Sequence, residues 1–249
     1  MTDLSEIKPS EKTSVPLLNV PWVVVVVIAL LVAIHLTLQI GGTSWQIGAQ
    51  YAFAFIPIRF TYAIFPQIKG SAYWSMLTYG LLHADWTRLG FNSLWLLVFS
   101  KPVALRLGAL RYVILLALSV IAGAAAGLYV HWGQFVVMVG ISAGVSGVTA
   151  AAIPIIYAHG GMWSMTTANQ MAHIKPLTPL QILTRRTPLL FTGLWLGMQI
   201  ATAAGQYMTA TAFLQERVIA WEAHIGGFLA GFVLFYLLDR KSVPPQANV

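Results

Sequence analysis

Apolar residues recur in six runs along the chain, separated by short polar breaks. A membrane-spanning helix needs about 20 predominantly apolar residues. The cleanest run is Val20 to Leu38, built around Val23–Ile28. The others cover about Asp85 to Leu105, Tyr112 to Val130, Ile141 to Tyr157, Leu189 to Met208 and Ala220 to Leu238. The pattern predicts an all-α membrane protein, a bundle of six transmembrane helices. Between the first two runs lies Gly41 to Tyr79, rich in aromatics (Trp45, Tyr51, Phe53, Phe55, Phe60, Tyr62, Phe65, Tyr73, Trp74) and broken by Pro57 and Pro66. It is too interrupted to span. Its amphipathic rings suit the membrane interface, so an interfacial first loop is expected.

Composition agrees. Of 249 residues, 58% are hydrophobic and 8% charged, against about 25% charged in a soluble domain. The solvent, and the first partner, is therefore a lipid bilayer. A net charge of +7 would suit nucleic acid, but the basic residues sit at the ends of apolar runs, where topology accounts for them and no nucleic acid is needed. The chain has no cysteine, which excludes thiol catalysis, disulfides and Cys-ligated metals. The stretch Met1 to Pro16 is polar and no small-residue cleavage site follows the first apolar run, so that run reads as a retained helix. The organisation expected is an N-terminal segment over 1–17, one six-helix domain over 18–239 and a tail over 240–249, with no internal repeat.

Lysines and arginines set the orientation. With the N-terminus inside, inner segments hold ten of the 14 basic residues, among them Lys101, Arg106, Arg111, Arg185 and Arg186. Outer segments hold three, Arg59, Lys69 and Arg217, and Arg88 lies within a run. Both termini are thus expected in the cytoplasm.

Two strings stand out within the runs: Gly144-Val145-Ser146-Gly147 and Ala223-His224-Ile225-Gly226-Gly227. An ionisable or polar side chain at membrane depth costs free energy and marks a candidate functional site. Ser146 lies about five residues into its run and His224 about four. At 1.5 Å per residue both sit roughly 6–8 Å below the outer edge. A serine needs a base to become a nucleophile. Gly227 and Gly231 share the face of His224, and Ala143 and Gly147 flank Ser146, so the two helices can approach closely. Ser146 and His224 are the candidate catalytic pair. Glu222, two residues before His224, points elsewhere on a helix.

A competing serine is Ser142. Gly140-Ile141-Ser142-Ala143-Gly144 fits a G-x-S-x-G elbow, but no alternating strand pattern precedes it, as that motif requires. Ser142 and Ser146 share a helix face. Asp85, Arg88 and Asn92 form one stripe of the second run. Asn92 is the candidate oxyanion donor, whereas Arg88 reads as a snorkelling partner of Asp85. His35, His131, His159 and His173 fall near run ends or in loops without metal-ligand spacing, so no metal site is assigned.

Together these residues resemble the rhomboid family of intramembrane serine proteases over about Trp74 to Leu238. The Ser146 string matches that family's nucleophile motif. The His224 string, with Gly231, matches its base motif. Leu82-His83-Ala84-Asp85-Trp86 with Asn92 resembles its second-span pattern, and the aromatic stretch resembles its membrane-embedded first loop. Arg88 stands where the family pattern has a histidine, Ser75 follows Trp74 where it has arginine, and Ala150 stands where an aromatic stacks on the base. The resemblance implies a serine endopeptidase that uses no cofactor, takes transmembrane proteins as substrates and resides in a bacterial inner (cell) membrane. The departures motivate one alternative, a catalytically silent client-binding relative. A solute transporter fits less well, since inverted repeats are absent.

The charge asymmetry generates a direct test. A topology reporter fused after Val249 should register the cytoplasm, and one inserted near Gln134 the opposite side; the reverse pattern would place Ser146 and His224 near the wrong face.

Overall fold

The computed structural model describes residues 20–61, 68–158, 174–208 and 220–239. The expected terminal segments over 1–17 and 240–249, and His159 and His173, lie outside these residues. Nine helices are described: α1 (Trp22–Ile40), α2 (Gly42–Phe53), α3 (Ser71–Thr78), α4 (Trp86–Leu107), α5 (Ala109–Val130), α6 (Ser142–Ile156), α7 (Pro179–Thr184), α8 (Arg186–Met208) and α9 (Trp221–Leu238). The six long ones each fall within a few residues of an apolar run. Three of them, α1, α5 and α9, are long and apolar enough to cross a membrane, and α6 is apolar but shorter, at 15 residues. Among the described residues there is no strand, only an isolated bridge between Phe55 and Met138.

Local chemistry sets the helix ends. The Asp85 carboxylate caps α4 by accepting a hydrogen bond from the Arg88 backbone N–H at 2.8 Å, which satisfies a donor the helix cannot. Asp85 therefore precedes the helix rather than forming part of a helical stripe with Arg88 and Asn92. Gly108, at φ +77°, separates α4 from α5, a conformation only glycine adopts at little cost. Gly140, at φ +122°, turns the chain into α6, and its N–H donates to Tyr79 O at 2.9 Å.

The shortest long helix is the most buried. Every residue of α6 from Ala143 to Ile156 is buried. It forms the pillar around which α4, α5 and α9 pack. Such a helix needs no solvent-facing polar side, and its hydroxyls, Ser142, Ser146 and Thr149, bond within the protein. By contrast α1 and α8 carry large exposed apolar side chains such as Trp22, Ile40, Leu190 and Leu194, as expected where the solvent is lipid.

Small residues hold the pillar. A side chain added at Gly227 would land on the Ala143 backbone, and one at Gly231 on the Gly147 backbone. One at Gly147 would meet Ser119 and Gly227 O, and one at Gly226 would meet Ala126 and Ala122 O. The backbones of α5, α6 and α9 thus touch directly. In lipid, where apolar burial drives nothing, this backbone proximity is the main source of helix association. The face inferred from Gly227 and Gly231 is the packed one.

The aromatic stretch is more ordered than its sequence suggests. It comprises α2, a 3₁₀ turn over Pro57–Phe60 and α3. Arg59 organises it. The guanidinium donates to Ala54 O at 3.0 Å and Tyr51 O at 2.5 Å, so it caps carbonyls at the end of α2. It also lies over the Tyr51 ring, 5.7 Å from the centroid. Charge counting takes Arg59 for an outer surface cation, but it is only 4% exposed. Trp74 Nε1 donates to Ala52 O at 2.8 Å and Thr78 to Phe53 O at 3.0 Å, which tie α3 to α2.

At the other end of the bundle Arg106 grips Asp239 with two bonds, Nε to Oδ1 at 2.8 Å and Nη2 to Oδ2 at 2.9 Å, and donates to Ile174 O at 2.6 Å. A bidentate pair of this kind is directional as well as strong. It joins the end of α4 to the residue after α9.

Close backbone contact leaves no room for branching. Gly231→Val should lower the melting temperature in detergent, consistent with an overpacking cost of about 1–3 kcal/mol. The exposed Gly193→Val, which meets nothing within 4 Å, should not. Equal melting of both variants with wild type would show that the α6–α9 face does not pack tightly.

Candidate active site

Helix register decides what meets His224. With Ala143 against Gly227 and Gly147 against Gly231, His224 falls beside the start of α6. Its Nε2 lies 2.9 Å from Ser142 Oγ. Ser142 is the first residue of α6 and Ser146 is one turn deeper. The Ser146 hydroxyl donates to Ser142 O at 2.8 Å, the i−4 back-bond common for serine in helices. The described hydrogen bonds of His224 thus go to Ser142 and not to Ser146. Both serines and His224 line one cavity of about 140 Å³, together with Asn92, Gln199 and Trp195. Depth counting brings Ser146 and His224 to one cavity; the ring nitrogen itself faces Ser142.

The other ring nitrogen is also engaged. His224 Nδ1 lies 2.9 Å from Gln199 Oε1 of α8. Gln199 is buried. It is legible as a polar residue inside an apolar run, the same signal that singles out His224, but a search for a nucleophile and its base does not select an amide.

Asn92 on α4 lines the cavity, and its Nδ2 lies 3.1 Å from His83 Nε2. His83 is buried before α4. Its pKa is pushed down to about 4, by burial first and by nearby His35 second. It is neutral near pH 7, so Nε2 can accept from the Asn92 amide. A histidine therefore does contact Asn92, supplied by position 83 rather than 88. Arg88 instead pairs with Asp85, Nε to Oδ2 at 3.5 Å, with both side chains about a third exposed (35% and 34%). That is the structural role expected of it. His35, expected near a run end, is buried within α1 and packs edge-on against Trp86, centroids 4.5 Å apart.

Glu222 points away from the cavity, as its position two residues before His224 implies. Its Oε1 lies 3.0 Å from His131 Nε2. His131 follows α5, so the pair ties the start of α9 to the end of α5. No group of three or more metal-ligating side chains occurs among the described residues.

The arrangement can do acid–base chemistry. A half-buried imidazole contacts a hydroxyl through one nitrogen and a carbonyl oxygen through the other, in a cavity of about 140 Å³ with an amide in its wall. A family model described as Rhomboid domain matches residues 70–241, more than half of the chain. No curated protein matches it.

The His131–Glu222 pair makes stability depend on pH. The hydrogen bond to Glu222, as the largest cause, raises the His131 pKa above its usual value near 6.5. A raised folded-state pKa means the contribution is fully present below about 6.5, the unfolded value, and is lost as pH rises through the folded value. The melting temperature should therefore fall over that window above about pH 6.5, and Glu222→Gln should flatten the fall. An identical slope in wild type and Glu222→Gln would remove the pair from the account.

Proposed function

Because the chain belongs to the rhomboid family, a family of integral membrane proteins typified by serine intramembrane proteases, we propose that it is an intramembrane serine endopeptidase acting on transmembrane proteins. The observation that carries this reading is the cavity that gathers His224, Ser142, Ser146 and Asn92. In this reading six helices, α1, α4, α5, α6, α8 and α9, cross a bacterial inner membrane with both termini cytoplasmic. The α2–α3 segment lies in the interface.

His224 is the general base. Ser146, in the family's nucleophile position, is the attacking group. A χ1 rotation takes its hydroxyl off Ser142 O and into the shared cavity; staggered rotamers are the ordinary alternatives for serine. The substrate segment must first unwind, because helical carbonyls are hydrogen-bonded and screened. Ser146 Oγ then forms a bond to the scissile carbonyl carbon as its proton passes to His224 Nε2. The carbonyl electron pair moves to oxygen, where the Asn92 amide and backbone N–H groups stabilise it. Collapse breaks the C–N bond, and the imidazolium returns its proton to the leaving amine. Water then hydrolyses the acyl-enzyme with the same base.

The 2.9 Å contact of Ser142 with His224 favours a second reading, with Ser142 as nucleophile. Cleavage of a transmembrane reporter by alanine variants separates the two. Loss in Ser146→Ala and His224→Ala, with Ser142→Ala active, supports the first reading. Loss in Ser142→Ala with Ser146→Ala active transfers the role. Asn92→Ala should reduce kcat by about 10²–10³, the cost of one oxyanion donor, in a folded protein. A wild type that captures clients without cutting any would instead be the silent relative.

A further inference from the structure

We propose that Gln199 is the positioning residue of His224: its side-chain carbonyl accepts the Nδ1 proton and thereby presents an unprotonated Nε2 to the serines. The proposal rests on the protease reading for its consequence, but its geometry does not.

Two observations on α8 carry it. Gln199 Oε1 lies 2.9 Å from His224 Nδ1, and Gln199 is 6% exposed, so water does not readily compete. Four residues earlier on the same helix, Trp195 stacks on Phe228 of α9, centroids 4.3 Å apart and planes inclined by 22°. Phe228 is four residues after His224. The two helices therefore meet through two i,i+4 pairs run in opposite directions, which is how side chains on facing helices align. The stack holds α8 in a register that leaves Gln199 beside the imidazole. Trp195 and Phe228 also belong to a small core with Ala150, Ile153, Leu177 and Ile182, distinct from the main one.

The chemical consequence follows from the tautomers. A neutral imidazole has one donor and one acceptor nitrogen. If the glutamine carbonyl faces Nδ1, that nitrogen carries the proton and Nε2 holds the lone pair a general base needs. If the amide NH₂ faces it, Nε2 carries the proton, donates to Ser142 and cannot take one from a hydroxyl. The orientation of one amide thus decides whether His224 can act. After proton transfer from serine the ring is cationic, and Gln199 Oε1 still accepts from Nδ1–H. In this chain Ala150 offers no ring to stack on His224, and Gln199 fixes the imidazole from a third helix instead.

The test uses the full chain in detergent, labelled with ¹⁵N-histidine and observed at about pH 8, where a histidine of ordinary pKa is neutral. The resonances of His224 are identified by their loss in His224→Ala. Wild type should show Nδ1 protonated and Nε2 unprotonated. Gln199→Met, similar in length but without an acceptor, should lose that preference, and Gln199→Glu, which keeps one, should retain it. In reporter cleavage Gln199→Met should lower kcat by about 10²-fold, the lower end of what a positioned base contributes, with KM little changed and Gln199→Glu active. Nε2-protonated wild type, or a Gln199→Met spectrum like wild type, overturns the proposal. Should Gln199→Met not fold, the wild-type and Gln199→Glu spectra decide. Absence of all cleavage by wild type would defeat the protease reading and leave the tautomer result standing.

Discussion

The contact on which the rest depends is backbone against backbone, where Gly227 and Gly231 of α9 meet Ala143 and Gly147 of α6. It sets both the distance and the register of the two helices that carry the candidate base and nucleophile. Neither can shift without forcing a side chain where none fits. Glycine in a helix costs roughly 0.5–1 kcal/mol relative to alanine. Direct packing offsets that cost in lipid, where helices gain little from burying apolar surface against each other. The same junction admits α5 through Gly123 and Gly226, so three helices share one small-residue centre.

Around this centre, polar side chains fall into two groups. One group is closed on itself. Arg59 caps α2, Arg106 grips Asp239, and Glu222 holds His131. These interactions tie segments that apolar packing alone would leave loosely joined, and each has found its partner within the protein, as a low-dielectric environment requires. The other group, His224, Ser142, Ser146, Asn92 and Gln199, opens onto a cavity. Its hydrogen bonds are made through atoms that chemistry could use. What separates the two groups is whether their bonding capacity is already enclosed.

The two serines illustrate how position along a helix sets a hydroxyl's partner. Ser146 satisfies its hydroxyl on its own helix, at no cost in burial. Ser142, at the first residue of α6, has no preceding helical turn to bond back to, so its hydroxyl is free to meet His224. A one-turn difference in position along α6 thus assigns different partners to two otherwise identical groups. The neutral His83 beside Asn92 adds a similar economy: it contacts the amide from the chain preceding α4, so position 88 is left to pair with Asp85.

The six long helices were legible as apolar runs, three of them long and apolar enough to cross a membrane, and their ends moved by only a few residues. The close-packed face of α9 was legible in Gly227 and Gly231, since small residues at helical spacing have one use in a bilayer. That Ser146 and His224 line one cavity was legible too, as polar residues within apolar runs. What counting along the runs could not yield was register. It placed Ser146 level with His224, whereas the α6–α9 contact sets the ring nitrogen beside Ser142. Nor could it anticipate that Arg59 is enclosed, that Asp85 is a cap, or that Gln199 approaches His224 from α8, because each depends on residues distant in the chain. Periodicity and hydropathy act within a segment and determined the helices. Contacts between segments are set by which backbones fit together, and only the tertiary structure decided those.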